Sequence, residues 1–240
     1  MRVLILYERS GVVRRAFAEA GHEAVSCDLE PAEDAETRFH FCCDALEVMT
    51  LSNVVTKYDL IIAHPPCTYL SAAGLHWNRE DPERSKKTVA SLQHVGTLFF
   101  LLNKSEKLWC VENPVGLIGS RIRKADQYVQ PYEFGDDASK RTGLWMSSGL
   151  PTLRPGKRIR GRLVCPVLGC LPPVNPDDRM WSDALRYGCR KCGGKLMERW
   201  ANQSDAGQNL EPDTKRQAAN RARTYPGIAR AMAEQWGKLV

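Results

Sequence analysis

Over its first 150 residues the chain alternates short apolar runs with stretches of helical apolar spacing, and this alternation restricts its fold more than any other feature. An apolar run of four to six residues bounded by polar positions reads as a buried strand, and a 3.6-residue spacing reads as a helix. Strand and helix in regular alternation build a mostly parallel sheet with helices packed on its faces. The expected strands cover residues 2–7, 24–27 ending at Asp28, 39–42 ending near Asp44, 58–63 and 108–111, with later ones at 130–134 and 144–146. Helices are expected over 12–20, closed by Gly21, and over 83–102. The fold class is therefore α/β.

In a parallel sheet all strand carboxyl ends lie on one edge, where ligands bind. Two motifs fall there: His64-Pro65-Pro66-Cys67 after the 58–63 run and Glu112-Asn113-Pro114 after the 108–111 run. Alone, the first reads most simply as a buried turn and the second as a cap or loop. Together, each behind its own strand, they oppose a thiol and a carboxyl group across one crevice. A thiolate can add to carbon 6 of a cytosine and so make carbon 5 nucleophilic. A carboxyl group on the ring nitrogen and amino edge would favour that addition. Cys67 and Glu112 fit these two roles.

Charge and cysteine content separate the rest of the chain from this half. Residues 1–150 carry 17 Lys and Arg against 20 Asp and Glu, whereas residues 151–240 carry 17 against 8. The excess is densest at Arg154, Lys157, Arg158, Arg160 and Arg162, a run that would attract a phosphate backbone or, more plainly, form a solvated loop. Four of the nine cysteines lie close by, as Cys165-x4-Cys170 and Cys189-x2-Cys192. Two close thiolate pairs can close a tetrahedral, structural zinc site, with Gly169 and Gly193-Gly194 permitting tight turns; unligated thiols are the alternative. From 151 to about 213 the texture is Pro, Gly, Arg and Cys, and from 214 to 239 it returns to helix with a break at Tyr225-Pro226-Gly227. Trp77, Trp181 and Trp200 could flank an extruded base, although tryptophans are more often packed in a core. No apolar stretch approaches the roughly 18–20 residues needed to span a bilayer, and the opening apolar run is too short for a signal peptide. A soluble, cytoplasmic protein without membrane partners is expected.

The two motifs identify the chain as similar to the DNA cytosine-5 methyltransferases, and in particular to their small phage-borne members. Pro65-Pro66-Cys67 resembles the family's nucleophile motif and Glu112-Asn113 its Glu-Asn-Val motif. Ser10-Gly11 with Ala16-Phe17 resembles the first cofactor motif, Asp28 the acidic ribose-binding residue and Asp44 the residue near the adenine. The segments 130–135, 140–145 and 224–229 resemble the phage group's own signatures. The resemblance implies a Rossmann-like class I methyltransferase sheet with an inserted zinc-ribbon-like module. It implies S-adenosylmethionine held by Glu8, Ser10, Gly11, Asp28, Leu29, Asp44 and Pro65, with structural zinc on Cys165, Cys170, Cys189 and Cys192. Double-stranded DNA would be bound by Lys140 and Arg141 together with the 154–162 cations, its target base flipped into the pocket. Residues 1–150 would form the catalytic domain, 151–213 the target-recognition module and 214–240 a helix returning to the catalytic domain, in a monomer. The same chemistry on RNA or a cytosine nucleotide, and a non-catalytic zinc-dependent DNA-binding protein on this scaffold, stay open. An amino-group methyltransferase is opposed by His64 and Cys67 at the ends of the Pro-Pro tetrapeptide.

Overall fold

The computed structural model describes residues 1–34, 37–167, 170–210 and 223–239. The first unit takes in Met1–Val129, Arg141–Arg154 and the C-terminal helix. In chain order it contains β1 (Arg2–Leu6), α1 (Val12–Glu19), β2 (Glu23–Asp28), β3 (His40–Cys42), α2 (Ala45–Thr50), α3 (Ser52–Val55), β4 (Leu60–Ala63), α4 (Pro82–Lys104), β5 (Leu108–Pro114), α5 (Leu117–Arg121), β6 (Gln127–Val129) and β7 (Thr142–Met146). The strands form one sheet in the order β3-β2-β1-β4-β5-β7-β6. The first five run parallel, while β7 is antiparallel to both β5 and β6. This is the expected α/β class, built on a mostly parallel sheet.

The central strand β4 is apolar at every position and fully buried, because a parallel sheet is covered on both faces. Helix α1 buries Val13, Ala16 and Phe17 at helical spacing. It ends as expected: Gly21 takes φ +85°, its N–H reaches Ala18 O at 3.0 Å, and the next N–H, from His22, reaches Phe17 O at 3.0 Å. Helix α4 begins one residue early because Asp81 caps it, accepting from the N–H groups of Glu83 and Arg84, with Pro82 in the first turn.

Two strand expectations need correction. Residues 130–134 are not a strand: Pro131–Glu133 is a single 3₁₀ turn. Pro131 has no N–H to give a ladder, and Gln130 and Glu133 cap each other's backbone instead. The edge strand is β6, just before it. Strand β5 in turn runs three residues past its apolar core, because β7 pairs along its far half, with Glu112 opposite Leu144, Asn113 opposite Gly143 and Pro114 opposite Thr142. Glu112 and Asn113 thus lie within the strand, one and two residues beyond the parallel pairing that ends at Ala63 and Val111.

The second unit takes in Gln130–Lys140, which lies inside the stretch 1–150 read from sequence as one domain, and the described residues from 155 to 210. It contains the antiparallel pair β8 (Arg162–Val164) and β9 (Met197–Arg199), and the helix α6 (Trp181–Tyr187). Its small core joins Leu163, Trp181 and Leu196 to Cys165, Cys170 and Cys189. The Trp181 indole N–H donates to Gly161 O at 2.8 Å, and Tyr132 stacks on Trp200 with ring centroids 4.0 Å apart. Trp181 and Trp200 are therefore packing residues, while Trp77 is 52% exposed.

The C-terminal helix α7 (Pro226–Trp236) belongs to the first unit and packs on α1. The expected helix over 214–222, the boundary at 213 and the turn at Gly169 lie outside the described residues. Among the described residues no helix is long and apolar enough to cross a membrane.

Candidate active site and metal centre

The order of winding reverses between β1 and β4, since β1 leads outward to β2 and β3 while β4 leads the other way to β5. A crevice at such a reversal, on the carboxyl edge, is the expected ligand site of an open α/β sheet. The loop after β1 carries Glu8, Ser10 and Gly11, and the loop after β4 carries His64 to Cys67.

Cys67 is half-buried, in a turn whose start is its own carbonyl, which accepts from the N–H groups of Leu70 and Ser71 at 3.0 and 2.9 Å. The turn is fastened to the strand bearing Glu112. Asn113 Nδ2 donates to Pro65 O at 2.7 Å, and Glu112 Oε2 lies 2.7 Å from His64 Nδ1. Farther along, Leu117 N–H donates to Leu70 O at 2.8 Å and Ala72 N–H to Val115 O at 2.9 Å. Gly116 makes this approach possible, because a Cβ there would stand 1.9 Å from Leu70 O. The structure so brings Pro65, Cys67 and Glu112 into one assembly. Two buried polar atoms in it, His64 Nε2 and Asn113 Oδ1, have no partner among the described residues, which is uncommon inside a protein and suits a site that receives a polar ligand.

The expected cofactor residues divide. Glu8 is 5% exposed and caps α1, accepting from Val13 N–H at 2.6 Å and Arg14 N–H at 3.2 Å. Burial pushes its carboxyl up, while the His64 ring and these amides act against that shift. Ser10 Oγ accepts from Val12 N–H at 3.4 Å, and Gly11 turns the chain at φ +68°. The space a Gly11 Cβ would fill is taken by side chains of Asp34, Arg14 and Arg15. Asp28 and Asp44, at the ends of β2 and β3, each use Oδ1 locally, Asp28 for the N–H of Glu30 and Asp44 to cap α2 at Leu46 and Glu47. Oδ2 of each takes no hydrogen bond among the described residues. Leu29, beside Asp28, is 73% exposed. Carboxylate oxygens and an exposed apolar side chain on one sheet edge fit the hydroxyls and base of a nucleoside.

In the second unit Cys165, Cys170, Cys189 and Cys192 bring their sulfur atoms within 4.8 Å of one another, with 3.6 Å between Cys165 and Cys192 and 3.5 Å between Cys170 and Cys189. Tetrahedral zinc with bonds of about 2.3 Å asks for sulfurs about 3.8 Å apart, so the four thiols fit the ion. The second pair is folded for it: Gly188 and Gly193 take φ +82° and +71°, and Gly193 N–H donates to Cys189 O at 2.7 Å. The N–H groups of Cys192 and Lys191 aim at the Cys189 sulfur and draw its thiol down to about 6. Four sulfurs would complete the shell of such an ion and leave no open position for catalysis.

The basic run is less uniform than its sequence. Arg158 pairs with Glu198 and lies 4.7 Å over the Tyr132 ring, and Arg162 bonds Asp205, Trp200 O and Gln203 O. Those two arginines hold the second unit together. Arg160 sits 4.8 Å over Trp181 with its side chain exposed, and Lys157 is exposed. Lys140 belongs to this unit, whereas Arg141, over the Tyr128 ring at 4.3 Å, and Arg154 belong to the first. Sequence reasoning assigned no role to His64, Asn113, Gly116 or Thr224. The first two sat in motifs already singled out, and Thr224 opened a signature without a stated purpose.

No protein-family model and no curated protein sequence matches the chain. Solved structures that resemble it include an E. coli protein considered a DNA modification methyltransferase encoded within a prophage, with TM-score 0.40 and 16% identity over 61% of this chain and 46% of that one. A variant of Spodoptera frugiperda DNMT2 gives TM-score 0.38 and 20% identity over 65% of this chain and 53% of the other. The chain thus spans about half the length of each. At this degree of likeness, function rests on the residues of the site.

Proposed function

We propose that this chain transfers a methyl group from S-adenosylmethionine to carbon 5 of cytosine in DNA through a covalent Cys67 adduct. The observation that carries the reading is the fastening of the Pro65-Pro66-Cys67 turn to the strand of Glu112 at the reversal point of the sheet. Ser10, Gly11, Asp28, Leu29, Asp44 and Pro65 would hold S-adenosylmethionine, which when bound supplies an electrophilic methyl group. Glu8 acts one step removed, by shaping the turn through its cap on α1.

Cys67, as thiolate, forms a bond to carbon 6 while Glu112 gives a proton to ring nitrogen 3, and the electron density so displaced makes carbon 5 nucleophilic. Once carbon 5 is methylated its proton is lost to solvent, the Cys67 sulfur leaves as thiolate and nitrogen 3 returns its proton to Glu112. The zinc ribbon with Lys157 and Arg160, and Lys140, Arg141 and Arg154 earlier in the chain, would supply DNA affinity.

The test is incubation of the protein with duplex DNA and labelled S-adenosylmethionine, followed by mass spectrometry of the nucleosides. 5-Methylcytosine is expected. DNA containing 5-fluorocytosine should trap the wild type covalently, because fluorine blocks the final elimination, and should leave Cys67→Ala untrapped. Label in adenine, label only in RNA, or an adduct that persists in Cys67→Ala would each overturn the assignment.

A further inference from the structure

We propose that His64 and Thr224 are positioning residues that jointly fix the Glu112 carboxyl group for ring activation, an inference that rests on the role given to Glu112 above. Glu112 Oε2 lies 2.7 Å from His64 Nδ1 and accepts from Thr224 Oγ1 at 2.7 Å, and Thr224 Oγ1 and His64 Nδ1 are 3.2 Å apart. The three groups close a triangle and all are buried: Glu112 at 5%, Thr224 at 7% and the His64 side chain at 7%. A buried carboxyl group needs donors, and here both reach the same oxygen. Two bonds from different directions hold the carboxyl plane against rotation.

The two donors arrive on unrelated parts of the chain. His64 follows β4 directly, so its ring is placed by the same strand that delivers Cys67. Thr224 comes from the segment ahead of α7. Pro226 restricts the residue before it to extended backbone, and Tyr225 has φ −73° and ψ 140°. Helix α7 is anchored by its buried Ile228, Ala229, Met232 and Trp236, and by the Trp236 indole N–H donating to Pro151 O at 2.8 Å. The Thr224-Tyr225-Pro226-Gly227 signature thereby gains a physical purpose, delivering one hydroxyl to a carboxylate 112 residues earlier.

The test compares Thr224→Val with Thr224→Ser, and His64→Gln with His64→Asn, for kcat, KM for duplex DNA, rate of 5-fluorocytosine adduct formation and melting temperature. Asparagine puts its amide nitrogen where Nδ1 lies; glutamine puts it at Nε2. Loss of a hydrogen bond to a carboxylate should lower kcat and the adduct rate by about ten- to a hundredfold in Thr224→Val and His64→Gln. KM and melting temperature should stay near wild type, and Thr224→Ser and His64→Asn should regain most of the rate. Wild-type rates in Thr224→Val and His64→Gln, or rate losses that track melting temperature and that serine and asparagine fail to restore, would overturn the inference. Should Thr224→Val fail to fold, the two His64 variants decide alone. A wild-type protein that neither methylates nor traps cytosine, or an unimpaired Glu112→Gln, removes the functional reading itself; an impaired Glu112→Gln beside normal Thr224→Val and His64→Gln removes only the positioning roles.

Discussion

The two units use cysteine in opposite ways. In the first, Cys67 stands half-buried at the end of a sheet whose core is already complete without it: β1, β4 and β5 bury Leu4, Leu6, Ile61, Ala63 and Val111, and the turn is tied to them by Asn113 and by the backbone around Gly116. In the second, Cys165, Cys170 and Cys189 are themselves members of the core, beside Leu163, Trp181 and Leu196. A thiol that a finished core merely presents is available for chemistry. Thiols that form the core are available to a metal, and a segment with so little apolar burial would take much of its order from such an ion.

The comparison breaks most sharply on metal. Structural zinc contributes on the order of 10 kcal/mol to a small domain's folding, so stripping it should abolish the order of the second unit. Purified protein is expected to contain about one zinc per chain. Cys189→Ser, checked by elemental analysis and limited proteolysis, should lose metal, protease resistance in residues 155–210 and DNA affinity together, while residues 1–129 stay resistant. Protease resistance that survives chelation would show the ribbon standing on its apolar residues.

Glu112→Gln keeps the shape of the side chain and removes its acid function. It should stay folded and lose about 10²–10⁴-fold in turnover, the usual worth of positioned proton transfer. Gly116→Ala tests the backbone fastening: the added methyl meets Leu70 O, and relieving it should cost about 1–3 kcal/mol by shift of the melting curve. Its turnover should fall beyond what the melting curve explains, because the displaced segment is the one that follows Cys67.

The smallest effects separate two kinds of cation in one run. Lys157→Ala should leave stability unchanged and lower the slope of log affinity against log salt by about one, the signature of a lost phosphate contact. Arg158→Ala should lower the melting temperature of the second unit, since it parts Arg158 from Glu198 and Tyr132. Equal salt effects from both would return Arg158 to the nucleic-acid face.

Much of the first unit is legible because its signals are local. The apolar run of β4, the spacing of Val13, Ala16 and Phe17 and the glycine after α1 each record, within a turn or two, which side of the chain meets apolar neighbours. The Cys-x4-Cys and Cys-x2-Cys pairs are each equally local, and their four sulfurs come together in one cluster. Residues 130–134 misled because Gln130 and Tyr132 to Phe134 look strand-like, while Pro131 and the reciprocal Gln130 and Glu133 caps decide otherwise. The pairing of the arginines at 158 and 162 could not be read in advance, because a run of charges has the same appearance whether its members are paired or solvated.

By itself the sequence determined the alternation of strand and helix, the strand-end placement of His64 to Cys67 and the grouping of four thiols. These follow from periodicity and short spacing, which act through immediate neighbours. Only the tertiary structure decided that β5 continues through Glu112 to Pro114 along β7, that Glu8 is a helix cap, and that Thr224 and His64 share one oxygen of Glu112. The physical reason is that a hydrogen bond acts over about 3 Å and is indifferent to sequence separation. A partner 112 residues away leaves no trace in the residues around either end.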